Sequence, residues 1–182
     1  MSAFISFEGP EGSGKSTQAR RLKKTLENRG YSVLLTREPG GTPIGDAIRD
    51  ILLNPDFSDM EPLAELFLYE ASRNQHVNEV IRPALEQDKI VLSDRFHDAS
   101  LVYQGIARDL GRELVESLND LATESLVPDL TFVLDVETKN GLKEARRSDD
   151  YYEEDGDRIE QESDGFHETV REAYRALTER EP

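Results

Sequence analysis

The sequence predicts an α/β fold, a parallel β-sheet covered by helices on both faces. Three observations predict it. Short β-rich runs alternate with helical periodicities along all 182 residues. One run, residues 89–93 (KIVLS), is apolar without alternation, as a strand buried on both faces must be. A glycine-rich segment follows the first run and leads directly into the first helical pattern. Strands that alternate with helices build parallel sheets, and such sheets bind ligands at the carboxyl ends of their strands.

The elements follow in order. Ala3–Glu8 is a short β-rich run that ends on glycine. Residues 15–28 carry Ala19, Leu22 and Leu26 on one helical face. Residues 32–36 form a second apolar strand. Thr42 is placed to cap a helix reaching Leu53. A long helix is expected over residues 61–86, with Val77, Val80, Ile81, Ala84 and Leu85 on one stripe. The third strand is the apolar run at 89–93, a further helix covers 112–124, and residues 129–136 (DLTFVLDV) form a fourth strand. A last helix carries Phe166, Val170, Ala173, Tyr174 and Leu177. There is no internal repeat, and the length suits a single domain spanning residues 1–182.

Composition narrows the function. Asp and Glu total 38 against 22 Lys and Arg, a formal charge of −16. A general nucleic-acid binder needs a basic face, so nucleic acid is not an expected partner. The basic residues are 16 Arg and only 6 Lys, and this acid-rich, lysine-poor make-up resembles proteins of salt-loving cytoplasms. Salt would screen the self-repulsion there. No apolar run approaches the ~18 residues of a membrane span. The start, MSAFISFEGP, lacks the basic region of a secretory signal, so the cytoplasm is the expected location and no membrane partner is expected. The absence of cysteine excludes disulfides, thiol nucleophiles and Cys-ligated zinc.

The chemistry starts at Gly9-Pro10-Glu11-Gly12-Ser13-Gly14-Lys15-Ser16, which matches G-x-x-x-x-G-K-[ST] in the required strand–loop–helix setting. Glycines let backbone N–H groups turn inward around phosphate oxygens, and the helix N-terminus adds partial positive charge. This predicts an ATP site of the P-loop NTPase fold over Gly9–Ser16 and Thr17. Lys15 reaches the β- and γ-phosphates. The Ser16 hydroxyl and Asp94, at the end of the third strand, are the candidate Mg²⁺ ligands. No N-K-x-D sequence is present, which disfavours a guanine-specific switch protein.

A phosphate cradle does not name the acceptor. Three further segments do: Thr36-Arg37-Glu38-Pro39-Gly40-Gly41-Thr42, Asp94-Arg95-Phe96 and Tyr103-Gln104-Gly105. Together with the loop they closely resemble the thymidylate kinases over nearly the whole chain. The resemblance implies transfer of the ATP γ-phosphoryl group to dTMP, Mg²⁺ dependence and a homodimer. Phosphoryl transfer must also bring two anions together and neutralise them. Arg95 can fork onto the acceptor phosphate, and Arg37 and Arg49 resemble further contacts to nucleotide and phosphate. By resemblance Glu11 faces the acceptor sugar with Glu38 as a second acidic neighbour. Tyr69 and Arg73, four apart on one helix face, resemble the pair that stacks on thymine and bonds its edge. Ser100 and Gln104 resemble further base contacts, and Tyr103 resembles the residue that crowds the ribose 2′ position. Phe96 stands where Tyr is commoner, Ala99 where Ser is commoner.

Residues 144–160 are expected to form a mobile lid over ATP. Residues 149–157 hold six acidic residues and two tyrosines. The loop contains no arginine, and in relatives with an acidic loop residue lid arginines supply the missing charge. Arg147 and Arg158 are therefore expected to be catalytic beside Lys15 and Arg95, with Arg146 a further candidate. Relatives carry one more strand and helix after the last helix, so a C-terminal strand and helix are expected to be absent from this sequence. Two other readings stay open: a nucleoside monophosphate kinase with another pyrimidine acceptor, and a non-catalytic P-loop nucleotide-binding module.

Overall fold

The computed structural model describes residues 2–148 and 156–180. The acidic tip of the expected lid, residues 149–155, lies outside the described residues. Four strands, β1 (Ala3–Glu8), β2 (Val33–Arg37), β3 (Ile90–Asp94) and β4 (Leu130–Val133), form one parallel sheet in the order β2-β3-β1-β4. β3 lies between β1 and β2, and its first four residues are buried. Its side chains alternate between faces. Ile90 and Leu92 pack with Phe7 and with Ala19, Leu22 and Leu26 of α1 (Lys15–Glu27). Val91 packs on the opposite face with Phe4, Val77, Ile81, Ala84 and Phe96. The lack of alternation in KIVLS therefore reflects cover on both sides.

Thr42 caps α2 (Pro43–Leu53), its hydroxyl oxygen accepting the Gly45 N–H at 2.9 Å, with Pro43 in the first turn. The long helix is a rod in three parts: α3 (Pro62–His76), a π-wound segment Val77–Ile81, and α4 (Arg82–Glu86). Two helical stretches escaped the sequence pattern. One is α5 (His97–Ser100), continued by the π-wound Leu101–Ala107. The other is α7 (Thr138–Ser148), whose only large apolar side chain is Leu142. Between them α6 (Arg112–Thr123) falls where its pattern predicts, and α8 (Asp164–Arg180) closes the described chain.

Register delivers the site. Phe7 pairs with Asp94 across β1–β3, and Arg37 pairs with Asp94 across β2–β3. The carboxyl ends bearing Glu8, Asp94 and Arg37 therefore emerge side by side. Among the described residues no helix is long and apolar enough to cross a membrane.

Truncating the central strand tests this packing. Leu92→Ala should lower the unfolding free energy by about 3 kcal/mol in urea titrations. Leu121, 74% exposed on α6, should tolerate alanine within about 0.5 kcal/mol.

Candidate active site

β1 ends at Glu8, and residues 9–14 turn the chain into α1. Two glycines are forced by close approach. A Cβ on Gly9 (φ +136°) would lie 2.2 Å from the Leu134 carbonyl oxygen, and one on Gly12 (φ +65°) 1.9 Å from that of Gly141 in α7. The loop is thus clamped between the exit of β4 and α7. Lys15 folds back beneath it. Its Nζ donates to the Gly9 carbonyl at 3.0 Å, the Pro10 carbonyl at 2.7 Å and Ser13 Oγ at 3.4 Å. Burial, then the neighbouring Arg95 charge, push the Lys15 ammonium down to about 8.

Arg95 follows β3 with φ +72°, a left-handed backbone that a non-glycine residue rarely adopts. Its N–H donates to the Phe7 carbonyl at 2.9 Å, and its own carbonyl accepts from Ser93 Oγ at 2.6 Å. Its guanidinium is aimed into the site. Nη1 donates to the Gly9 carbonyl at 3.1 Å, the oxygen that also holds Lys15. Nη2 donates to Glu11 Oε1 at 2.7 Å and to the Tyr103 hydroxyl at 3.2 Å. The Tyr103 hydroxyl in turn donates to the other Glu11 oxygen, and its ring centre is 5.0 Å from the guanidinium. Burial works to raise the Glu11 carboxyl, but Arg95 and Lys15 beside it outweigh burial and hold it below the usual range.

The Ser16 hydroxyl donates to an Asp94 carboxylate oxygen, so the two candidate metal ligands adjoin. Tyr69, Ser100, Tyr103 and Gln104 face Glu11, Lys15, Thr17, Arg37, Glu38, Arg49 and Arg95 around one cavity of about 600 Å³. Arg37 is also paired with Asp46 at 3.3 Å, and Arg49 donates to the Pro39 carbonyl at 3.1 Å. Burial, then the Arg37 charge, lower the Arg49 guanidinium from its ordinary value. Five cations, Lys15, Arg20, Arg37, Arg49 and Arg95, line this cavity in a chain of formal charge −16. The arrangement can hold two phosphorylated ligands whose anionic ends meet near Gly9.

A family model described as thymidylate kinase matches residues 7–182. The chain belongs to the thymidylate kinase family. The thymidylate kinase of Syntrophotalea carbinolica is 54% identical, the match covering 100% of this chain and 85% of that protein. That of Geobacter sulfurreducens is 49% identical, covering 100% and 86%. The crystal structure of thymidylate kinase from Ehrlichia chaffeensis superposes with a TM-score of 0.79 at 33% identity, covering 100% of this chain and 89% of that one. The parallel sheet, the loop after β1 and the covering helices are thus the P-loop fold of this family.

Three expected residues sit elsewhere in this thymidylate kinase fold. Arg158, expected to be catalytic, does not line the cavity; it is buried, with Nε donating to the Leu52 carbonyl at 2.7 Å and Nη2 2.6 Å from Glu65 Oε2. Its charge is spent on a buried carboxylate that also receives Arg108. Arg147 points to solvent, its side chain 69% exposed beside Glu144, and it too is absent from the cavity wall. Arg146 donates to the Glu160 carbonyl at 2.9 Å. Arg73 lies one layer behind the wall. It donates to Glu38 at 2.8 Å, Glu70 at 2.7 Å, Asn119 at 2.7 Å, Ser100 at 3.0 Å and the Phe96 carbonyl at 3.1 Å. It reaches the cavity only through Glu38 and Ser100.

Sequence reading also missed contributors. Arg20 stands one turn after Ser16 on α1, a spacing that could have flagged it. Asp157 and Glu160 line the cavity where Arg158 does not. Gly141 carries no motif, yet a Cβ there would lie 2.4 Å from the Glu11 carbonyl oxygen.

Arg158→Ala should therefore act first on stability, lowering the unfolding free energy by about 3 kcal/mol because it strips a buried carboxylate of a partner. Arg147→Ala should change it by less than about 0.5 kcal/mol. Chemical denaturation of both variants checks the contrast.

Proposed function

We propose that this chain transfers the γ-phosphoryl group of ATP to dTMP, with the glycine-rich loop as donor cradle and Arg95 as the grip on the acceptor phosphate. An oxygen of the dTMP phosphate attacks the γ-phosphorus, the bond to the β-phosphate oxygen breaks, and dTDP and ADP leave. One carbonyl oxygen carries this reading: Gly9 O accepts from both Lys15 and Arg95. The cation that belongs to the donor and the cation that belongs to the acceptor are thereby pinned next to each other, where the transferred group must pass. Family membership supplies the identity of the acceptor.

The other roles are assigned on the same basis. Tyr69, at the cavity wall, offers a ring to the thymine, and Ser100 and Gln104 offer polar atoms to its edge. Arg73 supports them from behind. Glu11 and Tyr103, joined to each other, face the sugar, and Arg37 and Arg49 flank the acceptor. Arg20 joins Lys15 in balancing the triphosphate. Mg²⁺ fits the adjoining hydroxyl of Ser16 and carboxylate of Asp94, both hard oxygen donors. Among the described residues no group of three or more His, Cys, Asp or Glu could cage a metal unaided, so phosphate oxygens and water complete its shell. Bound there, the ion offsets charge on the β- and γ-phosphates.

A homodimer is supported by the outer faces of α2 and α3, which pack on each other. Ile44 (55% exposed), Ile51, Leu63 and Phe67 (54% exposed) make an apolar surface on an otherwise acidic chain. The cytoplasm, where ATP and deoxynucleotides are held, is the proposed location.

ADP release with ATP, Mg²⁺ and a panel of nucleoside monophosphates tests the reading. dTMP should stimulate most, and no stimulation by any monophosphate would sink it. UMP on a par with dTMP would remove the 2′-crowding role of Tyr103. Arg95→Ala should lower kcat/KM for dTMP by about 10³-fold. Phe67→Asp should shift the particle in sedimentation from dimer to monomer, and a particle unchanged in mass would reject this interface.

A further inference from the structure

Two buried residues touch Arg95 or its backbone and have no part in the reaction as assigned so far. Glu8 closes β1 and is fully buried, and Tyr174 on α8 is 1% exposed. Glu8 Oε1 accepts the Phe96 N–H at 2.6 Å, and Oε2 accepts the Tyr174 hydroxyl at 2.9 Å. The Tyr174 oxygen accepts in turn from Arg95 Nη1 at 3.2 Å. One carboxylate therefore grips Arg95 at two points, through the peptide that follows its left-handed backbone and through the hydroxyl that holds its guanidinium.

We propose that Glu8 and Tyr174 are positioning residues that aim Arg95 at the acceptor phosphate. The geometry of the guanidinium supports the assignment. Nη1 is fastened on its inner side by the Gly9 carbonyl and the Tyr174 hydroxyl, which leaves the Nη2 edge facing Glu11, Tyr103 and the cavity. An arginine on three rotatable methylenes loses its fork geometry unless one edge is anchored. Tyr174 is suited to the task because a hydroxyl donates once and accepts at the same time, so it passes the Glu8 charge on to Arg95 without a gap. Its ring packs in the core with Tyr103, Val102 and Val170, which fixes the hydroxyl in place. Burial first, then the nearby Asp98 charge, raise the Glu8 carboxyl to about 7, a cost that a merely space-filling residue would not carry.

This inference rests on the acceptor role of Arg95, and the experiment separates the two. dTMP affinity is measured by calorimetry, and kcat by ADP release, for Tyr174→Phe, Glu8→Gln, Arg95→Ala and the double variants with Arg95→Ala. Tyr174→Phe keeps the ring and removes only the hydroxyl. It should weaken dTMP binding and lower kcat by about tenfold each, as expected for a lost hydrogen bond to a charged group. Glu8→Gln keeps the acceptor for Phe96 but can no longer accept from Tyr174, and should act in the same direction. In the Arg95→Ala background neither substitution should change dTMP affinity by more than about twofold, because the brace has nothing left to aim. Equal losses in both backgrounds, or a Tyr174→Phe variant with wild-type affinity and turnover, would overturn the brace while leaving Arg95 as the acceptor grip. If Arg95→Ala binds dTMP as tightly as the wild type, the acceptor role itself falls and the brace with it.

Discussion

Two cations share one carbonyl oxygen, and the active site is arranged around the repulsion this creates. Lys15 and Arg95 both donate to Gly9 O, in a region where burial strengthens every charge interaction. The lowered proton affinity of Lys15 is one consequence. The acidic residues that look out of place beside a phosphate cradle are the other. Glu11 is bonded to Arg95, while Asp94 and Glu8 act on Lys15 from the strand ends. They hold the two cations together so that a pair of polyanions meets a preformed grip rather than one that must reorganise.

The strand ends make this possible. Because β1 lies directly beside β3, the loop after one and the arginine after the other emerge at neighbouring positions. Arg95 has to leave β3 sharply for its side chain to turn back over Gly9, and it does so through a left-handed backbone that costs of order 1–2 kcal/mol. Phe7, Ser93 and Glu8 each fix one peptide group around it. A strained residue persists only where its surroundings over-determine it, and here that strain points a guanidinium.

How much of this was legible follows from what each signal encodes. The loop, the four strands and the caps were readable because they depend on local spacing: glycine offsets, an unalternating apolar run, Thr42 before Pro43. Residues 97–107 and α7 were not, since one is short and π-wound and the other is almost wholly polar over Thr138–Ser148. Among individual residues the same divide holds. The position of Arg95 is fixed by the end of its strand, so its direction could be anticipated. Arg158 has no such tether in the sequence, and nothing local reveals that Glu65, more than ninety positions earlier, waits buried to receive it. Arg73 shows the intermediate case, on the expected helix face but claimed by Glu38, Glu70 and Asn119 before it reaches the cavity.

Buried charges that never line the cavity still shape what it can recognise. Glu65 is an acceptor only, and Gln104 Nε2 donates to it at 2.7 Å. The amide of Gln104 therefore cannot turn over without setting its carbonyl oxygen against a carboxylate. With its NH₂ group committed, the face left for a ligand is an acceptor. For the base-reading role proposed for Gln104, that polarity suits the N3–H of a thymine or uracil ring and opposes cytosine, whose N3 is itself an acceptor. Arg108 and Arg158 keep Glu65 charged by pairing with it, so the arginine that left the catalytic group acts instead on the polarity of the acceptor pocket. The ion cluster behind the wall thus does for the base what the shared carbonyl does for the phosphates: it decides, before any ligand arrives, which sign each surface presents.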